Sequence, residues 1–388
     1  MSASRVVVAR TAAEVEALRE AWAAFPVENP AADLDYHLTV LEHAPAVVRP
    51  HVVLLESDGE PGALAVGRVE DVRLPATIGY KAVYRPRVRA LTISQGGLVE
   101  ARAGTAGRLL EVLRGMLGSE GLDALRLRFL PVGSPAHALA TSAEGLLRQR
   151  FSTPVARWRA RVPATFEEYL GSRSSKTRSG IRRYGRRLEE EAGAGLTFRL
   201  FTAPEELDEL VRDTRIVAEK TYQARLGAAF SDTELERRLL ELALRRGWYR
   251  GFVLYLDGVP SAYWHGTAYR RTFFTGPTGY DPARRELRLG TYVLAKMVER
   301  LCGEADWMDF GVGDAEYKRH FGDERLLEED VLVYAPRLRP VAVNVMRSAV
   351  LGTSHAGRAV LARSGKLGDA RRRWRARLTG GASSGAVG

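Results

Sequence analysis

Residues 309–322 read DFGVGDAEYKRHFG, which places an acidic-aromatic-glycine triplet, a Gly-x-Gly and a Tyr-Lys pair within one short stretch. Three chemistries compete for it. A kinase metal-binding triplet needs an upstream His-Arg-Asp loop, a glycine-rich loop and a strand lysine in an Ala-x-Lys setting, and the chain carries none in that order. A dinucleotide fingerprint needs Gly-x-Gly-x-x-Gly at a strand-to-helix turn, but its third glycine position is Glu316. What remains is a strand ending in ADWMDF, a two-glycine turn, and Asp314 placed to cap a short helix beginning Ala315-Glu316-Tyr317-Lys318. Tyr317 and Lys318 then stand in the first turn of a helix just past the carboxyl end of a strand, where mixed α/β proteins commonly carry sites.

Working outward, residues 279–301 read GYDPARRELRLGTYVLAKMVERL. A polar loop with Arg284, Arg285 and Arg288 meets Gly290 at the start of a long amphipathic helix. Free amides at a helix start, a glycine that lets the backbone approach closely, and adjacent guanidiniums suit a phosphate or pyrophosphate. The same residues also suit a plain glycine helix start with solvated arginines.

Further outward, the chain repeats itself. The strand VVVAR runs into TAAEVEALREAW, where Thr11 and Glu14 have capping-box spacing and Val15, Leu18, Trp22 and Phe25 share a helical face. The pattern returns 191 residues later as TFRLF and TAPEELDELVRDT, with Thr202 and Glu205 as the box and Leu207, Leu210 and Val211 as the stripe. Strand pairs around Asp58-Gly59 and Asp257-Gly258, 199 residues apart, read as hairpins. Each half continues to a helix, near 105–118 and 290–303, and a further short strand. The expected fold class is α/β (α+β), two tandem domains each built on a mixed, mostly antiparallel sheet flanked by helices. The expected bounds are an amino-terminal domain over 1–155, a basic connecting helix over 156–195, a carboxyl-terminal domain over 196–336, and a basic helical and disordered tail over 337–388.

Composition narrows the function classes. The chain has 388 residues, 45% hydrophobic and 27% charged, as in soluble globular proteins. No run approaches the apolar length of a membrane span and VVVA is too short for a signal-peptide core, so the expected compartment is the cytoplasm. The single cysteine, Cys302, excludes an internal disulfide and a multi-cysteine zinc site, and no metal is expected. Cys302 lies on an apolar helical pattern and reads as a core thiol. The net charge is +11, but residues 337–388 hold eleven Lys/Arg and one acid, so the body is nearly neutral. That tail includes RRRWRARL, which suits an anionic membrane surface, RNA or plain solvent. In residues 174–193, SSKTRSGIRRYGRRLEEEAG, Arg178, Arg182 and Arg186 recur every four residues, with Arg183 and Arg187 beside them, while Ile181, Tyr184 and Leu188 take another face.

The order strand, loop with Gly290-Thr291, helix, strand and DFGxGDxxYK resembles the GNAT acyltransferase superfamily. More closely it resembles the cellulose-biosynthesis-type (CelD/BcsL-like) acetyltransferases and the Fem peptidyltransferases, which carry two tandem GNAT-like domains. The likeness covers about residues 165–335; the amino half matches in architecture only. It implies an N-acyltransferase in which an amine acceptor, a small molecule or a glycan precursor, attacks the thioester of acyl-CoA, with acetyl-CoA as the first candidate. The donor's pyrophosphate would lie at Gly290 and Thr291, with Arg288 and Thr275 alongside, between the strands near FFTGPTGY and WMDFG. Tyr317 matches the position of the acid that protonates the departing thiolate. Lys318 would stabilise an oxyanion or bind an anionic acceptor. Asp309 or His265 would receive the amine proton through water, although His265 also suits a histidine satisfied within its strand. Arg178, Arg182 and Arg186 would grip substrate phosphates. The family's phosphate loop has Arg or Gln three residues before its first glycine; counted from Gly290, that position is Leu287. Two other readings stay open: a Fem-like transferase using aminoacyl-tRNA, and a non-catalytic double-GNAT adaptor for anionic partners such as the inner face of a membrane.

Overall fold

The structure, a computed structural model, describes residues 4–79, 81–142, 145–221, 230 and 232–363. The amino half runs β1 (Ser4–Ala9), α1 (Ala12–Glu16), α2 (Arg19–Ala23), α3 (Leu34–His43), β2 (Val47–Pro50), β3 (Val52–Ser57), β4 (Glu60–Arg73), β5 (Ala76–Ile78), β6 (Lys81–Tyr84), β7 (Arg87–Glu100), α4 (Thr105–Ser119), β8 (Ala124–Pro131) and α5 (Pro135–Thr141). The chain continues through β9 (Val155–Arg161), α6 (Phe166–Gly171), α7 (Ser175–Ala192), β10 (Leu196–Phe201), α8 (Leu207–Ala218), α9 (Glu234–Arg245), β11 (Tyr249–Leu256), β12 (Val259–Tyr269) and β13 (Thr272–Tyr280). It ends in α10 (Leu289–Leu301), β14 (Trp307–Val312), α11 (Glu316–Phe321), β15 (Glu324–Tyr334) and α12 (Leu338–Arg363).

The local signals of the repeat fold as read. Thr11 and Glu14 close a reciprocal capping box, and Asp58-Gly59 and Asp257-Gly258 both turn with positive φ, at 56° and 81° and at 53° and 74°. The second box sits one residue later than expected. Glu206, not Glu205, accepts the amides of Thr202 and Ala203, and Pro204 opens the turn, because proline needs no amide partner there. Leu207, Leu210 and Val211 are buried as the stripe requires.

The strands join into one sheet in the order β1-β3-β4-β7-β8-β15-β9-β14-β13-β12-β11-β10, with β2 on β4. The order is the same from either end, and each half holds one parallel pair, β7 with β8 and β13 with β14. The last strand of each half is exchanged. β9 leaves the amino half to pair with β14, and β15 leaves the carboxyl half to pair with β8. The two exchanged strands pair with each other at the centre, Glu324 opposite Arg159 and Glu328 opposite Val155. The segment read as a basic connecting helix therefore opens with a strand, and its long helix is α7 alone. An alternating strand such as VARWRAR carries no local mark of which sheet it joins.

The amino-half core of Leu91, Leu109, Leu113 and Leu125 includes Val331 and Val333 from exchanged β15; the carboxyl-half core around Phe273, Val293 and Met308 includes Ala160 from β9. Helix α12 is packed onto the amino half: Asn344 donates to the carbonyls of Leu146 and Arg148, and Arg347 donates to the Leu74 carbonyl at 3.1 Å and the Tyr334 hydroxyl at 2.6 Å. The RRRWRARL stretch lies outside the described residues. Among those described, no helix is long and apolar enough to cross a membrane.

Candidate functional site

β13 and β14 pair only from Thr272 to Phe274 against Trp307 to Asp309. Beyond that point β13 slips register against β12 between Trp264 and Gly266, and β14 bulges at Gly311, whose φ of 67° glycine adopts without strain. The end of β13, the start of α10 and the first turn of α11 enclose a cavity of about 370 Å³. Trp264, Thr278, Tyr280, Arg285, Gly290 and Tyr317 are among its walls.

On the cavity lining, α10 begins after Arg288; among the described residues its start has no side-chain cap and its first turn holds no acid. Arg288 and Arg285 both line the cavity. Arg288 has φ 54°, a left-handed conformation that costs a non-glycine residue about 1 kcal/mol. It thus takes a backbone shape that glycine adopts without strain. Arg285, three residues before Arg288, lines the same cavity. The Arg288 guanidinium lies 5.6 Å from the centre of the Tyr184 ring on α7, which brings the basic helix to the mouth of the cavity.

Tyr317 also lines the cavity, half-buried, its ring meeting Trp264 and Phe310 edge-on at 5.6 and 6.0 Å between centres. Burial pushes its hydroxyl up to about 12, so the phenol keeps its proton at neutral pH. The expected cap from Asp314 does not form. Its carboxylate instead accepts from Arg319 and from the Trp158 indole at 3.1 Å, and Ala315 occupies the cap position. Lys318 is buried, and its ammonium donates to the carbonyls of Gly311 at 3.2 Å and Val312 at 2.7 Å; burial lowers its affinity for protons. These contacts hold it to the bulge and away from the cavity wall. Asp309 is likewise committed, accepting from Arg157 and from the Gly311 amide, both at 2.7 Å.

His265 alternates with Trp264 along β12 and so faces the opposite side of the sheet. It is packed between Tyr249, Tyr263 and Phe230, with Nε2 2.9 Å from the Thr214 hydroxyl, and burial lowers it to about 3. The role expected of it as proton acceptor is therefore not open to it: a neutral ring behind the sheet cannot reach the amine. Thr275 pairs with Gly266 at the β13 irregularity, while Thr278, one turn of the bulge further on, lines the cavity. Arg182 pairs with Glu167, and Arg182 and Arg186 border a separate groove between α7 and α10. Arg178 lies in the second turn of α7. Missed by sequence reasoning were Trp264 and Tyr280; the alternation of β12 marks Trp264 as an inward residue, but nothing local says which cavity lies inward.

Residues 175–319, from α7 into α11, match the acetyltransferase (GNAT) domain family. This segment is a GNAT domain. The match spans the uncapped start of α10, the bulge of β14 and Tyr317. Among solved structures, the fold of the whole chain is similar to that of FemX, with a TM-score of 0.60, 13% identity, and coverage of 88% of this chain and 100% of that one. It is also similar to a conserved protein of unknown function from Bacteroides thetaiotaomicron VPI-5482, with a TM-score of 0.53, 13% identity and coverage of 84% and 100%. L-PGS from Bacillus licheniformis follows at a TM-score of 0.50, 14% identity and coverage of 86% and 96%. These likenesses are of fold, and they take in both halves of the chain. No curated protein matches the sequence.

Proposed function

We propose that this protein is an N-acyltransferase that moves an acyl group from acyl-CoA to a primary amine at the carboxyl-terminal GNAT domain. The observation that carries this reading is one cavity lined by an uncapped helix start, two guanidiniums and a protonated phenol. The α10 amides, Arg285 and Arg288 hold the donor's pyrophosphate, and Trp264, Leu294 and Phe321 provide an apolar wall for the arm that leads to the thioester. The amine nitrogen attacks the thioester carbon, the carbon–sulfur bond breaks, the Tyr317 hydroxyl protonates the leaving thiolate, and the nitrogen loses its proton to water. The cavity walls carry no carboxylate or imidazole among the described residues, so the amine must arrive neutral or shed its proton to solvent.

Aminoacyl-tRNA as donor is the second reading, favoured by Arg183 and Tyr184 on the basic α7 beside the cavity mouth. Thermal-shift titration separates the two. Acetyl-CoA or a longer acyl-CoA raises the melting temperature on the first reading; no shift with any of them, beside salt-sensitive binding of charged tRNA, assigns the donor to the second.

A further inference from the structure

Four charged groups meet under the central strands. Arg157, on exchanged strand β9, is 7% exposed and places Nη1 2.7 Å from Asp309 Oδ2 on β14. Its Nε forms an ion pair with Glu328 Oε2 on β15 at 2.7 Å. Asp309 turns its other oxygen to the Gly311 amide, and Lys318 closes the bulge by donating to the Gly311 and Val312 carbonyls. Two cations and two carboxylates balance in a site where a single unpaired charge would be costly. An arrangement that costs desolvation and serves stability alone is readily replaced by apolar packing, so its geometry calls for a further reason.

The reason lies in what the network holds. Lys318 follows Tyr317 in the first turn of α11, whose far end is fixed separately: the Phe321 carbonyl accepts from the Tyr169 hydroxyl at 2.9 Å and from Arg173 at 2.7 Å. The Gly313 amide also donates to the Ala156 carbonyl of β9 at 2.7 Å, so the turn between β14 and α11 is held from the exchanged strand at backbone as well as side chain. We propose that Arg157 is a positioning residue for Tyr317, setting the angle of the phenol from the exchanged strand through Asp309, the Gly311 bulge and Lys318. This rests on the reading of Tyr317 as the acid. The strand exchange then has a use: the amino half, through β9 and β15, sets the geometry of the carboxyl-half site.

The test labels the full chain with 3-fluorotyrosine and assigns the Tyr317 fluorine resonance by its loss in Tyr317→Phe. Arg157→Lys keeps the charge but cannot span both carboxylates; Asp309→Asn keeps the shape and removes the carboxylate that links Arg157 to the bulge. Either variant is expected to move the Tyr317 resonance while the other tyrosines stay in place. In thiol release from acetyl-CoA with a panel of primary amines, each variant is expected to lower kcat about tenfold with the donor KM within twofold. On a Tyr317→Phe background the kcat loss from Arg157→Lys should vanish, since both act through one group. An unmoved Tyr317 resonance in the folded variants overturns the proposal whether or not turnover is found, and so does a kcat loss that persists in full without the phenol. A moved resonance with no turnover on any amine supports the coupling and overturns the acid role instead.

Discussion

In the amino half the start of α4 follows Gly104, and the Glu100 carboxylate accepts the Ala106 amide in its first turn. In the carboxyl half the matching start of α10 follows Arg288 and carries no side-chain cap. The same contrast recurs one strand later. The helix after β8 has Ala136 and His137 where the helix after β14 has Tyr317 and Lys318, with His137 bonded to Glu329 as Lys318 is bonded to the bulge. Even the bulges correspond, with Phe129 at φ 51° held by Asp330 and Gly311 at φ 67° held by Asp309. The backbone plan is common to both halves, and the chemistry differs in a few side chains. A carboxylate at a helix start repels an anion, and an alanine cannot donate a proton.

The largest effect should come from separating the halves. Residues 1–150 alone lack β15 and with it Val331 and Val333 of the amino-half core, so this fragment is expected to show no cooperative urea transition. Residues 151–363 keep β9 and β15 together; a cooperative transition for the first fragment would make the halves independent units. Next, Tyr317→Phe should lower turnover by roughly 100-fold or more, measured as thiol release from acetyl-CoA, while His137→Gln at the matching helix leaves it within about twofold.

Acid should affect the halves alike. His37 and His265 are each buried and lowered to about 3, so each is neutral in the folded chain but protonated in the unfolded chain below about 6.5. Stability from both is present at neutral pH and is lost as pH falls from about 6 toward 3, with a slope of about 1.4 kcal/mol per pH unit for each. Urea titrations at several pH values should show that slope reduced by about this amount in His265→Gln. Arg285→Ala should raise the acetyl-CoA KM about tenfold, or ~1.4 kcal/mol, with kcat unchanged. Smallest, Glu100→Ala should cost ~1 kcal/mol of stability in urea unfolding and leave the acetyl-CoA KM unmoved; a fall in KM would mean that the amino half had opened a second donor site.

Much of this contrast is legible in the sequence. The two Asp-Gly turns, the Thr11–Glu14 box and the starts of α4 and α10 within one residue were all readable, because each depends on groups at most four residues apart. The start of α10 was only half legible: Arg288 has a side chain that disguises its glycine-like backbone, φ 54°. The roles of Lys318, Asp309 and His265 were not legible, since residue type fixes what a group can do and not which side of a sheet it faces or which partner claims it.

The sequence by itself therefore determined the repeat, the starts of α1, α4 and α10 and the placing of a phenol one turn past a strand, all set by local hydrogen bonding and periodicity. Only the tertiary structure decided that β9 and β15 change places and that Arg157 meets Asp309, 152 residues away in the chain. Strand pairing is settled by the burial and charge balance of the assembled sheet, and those terms do not exist until distant segments have come together.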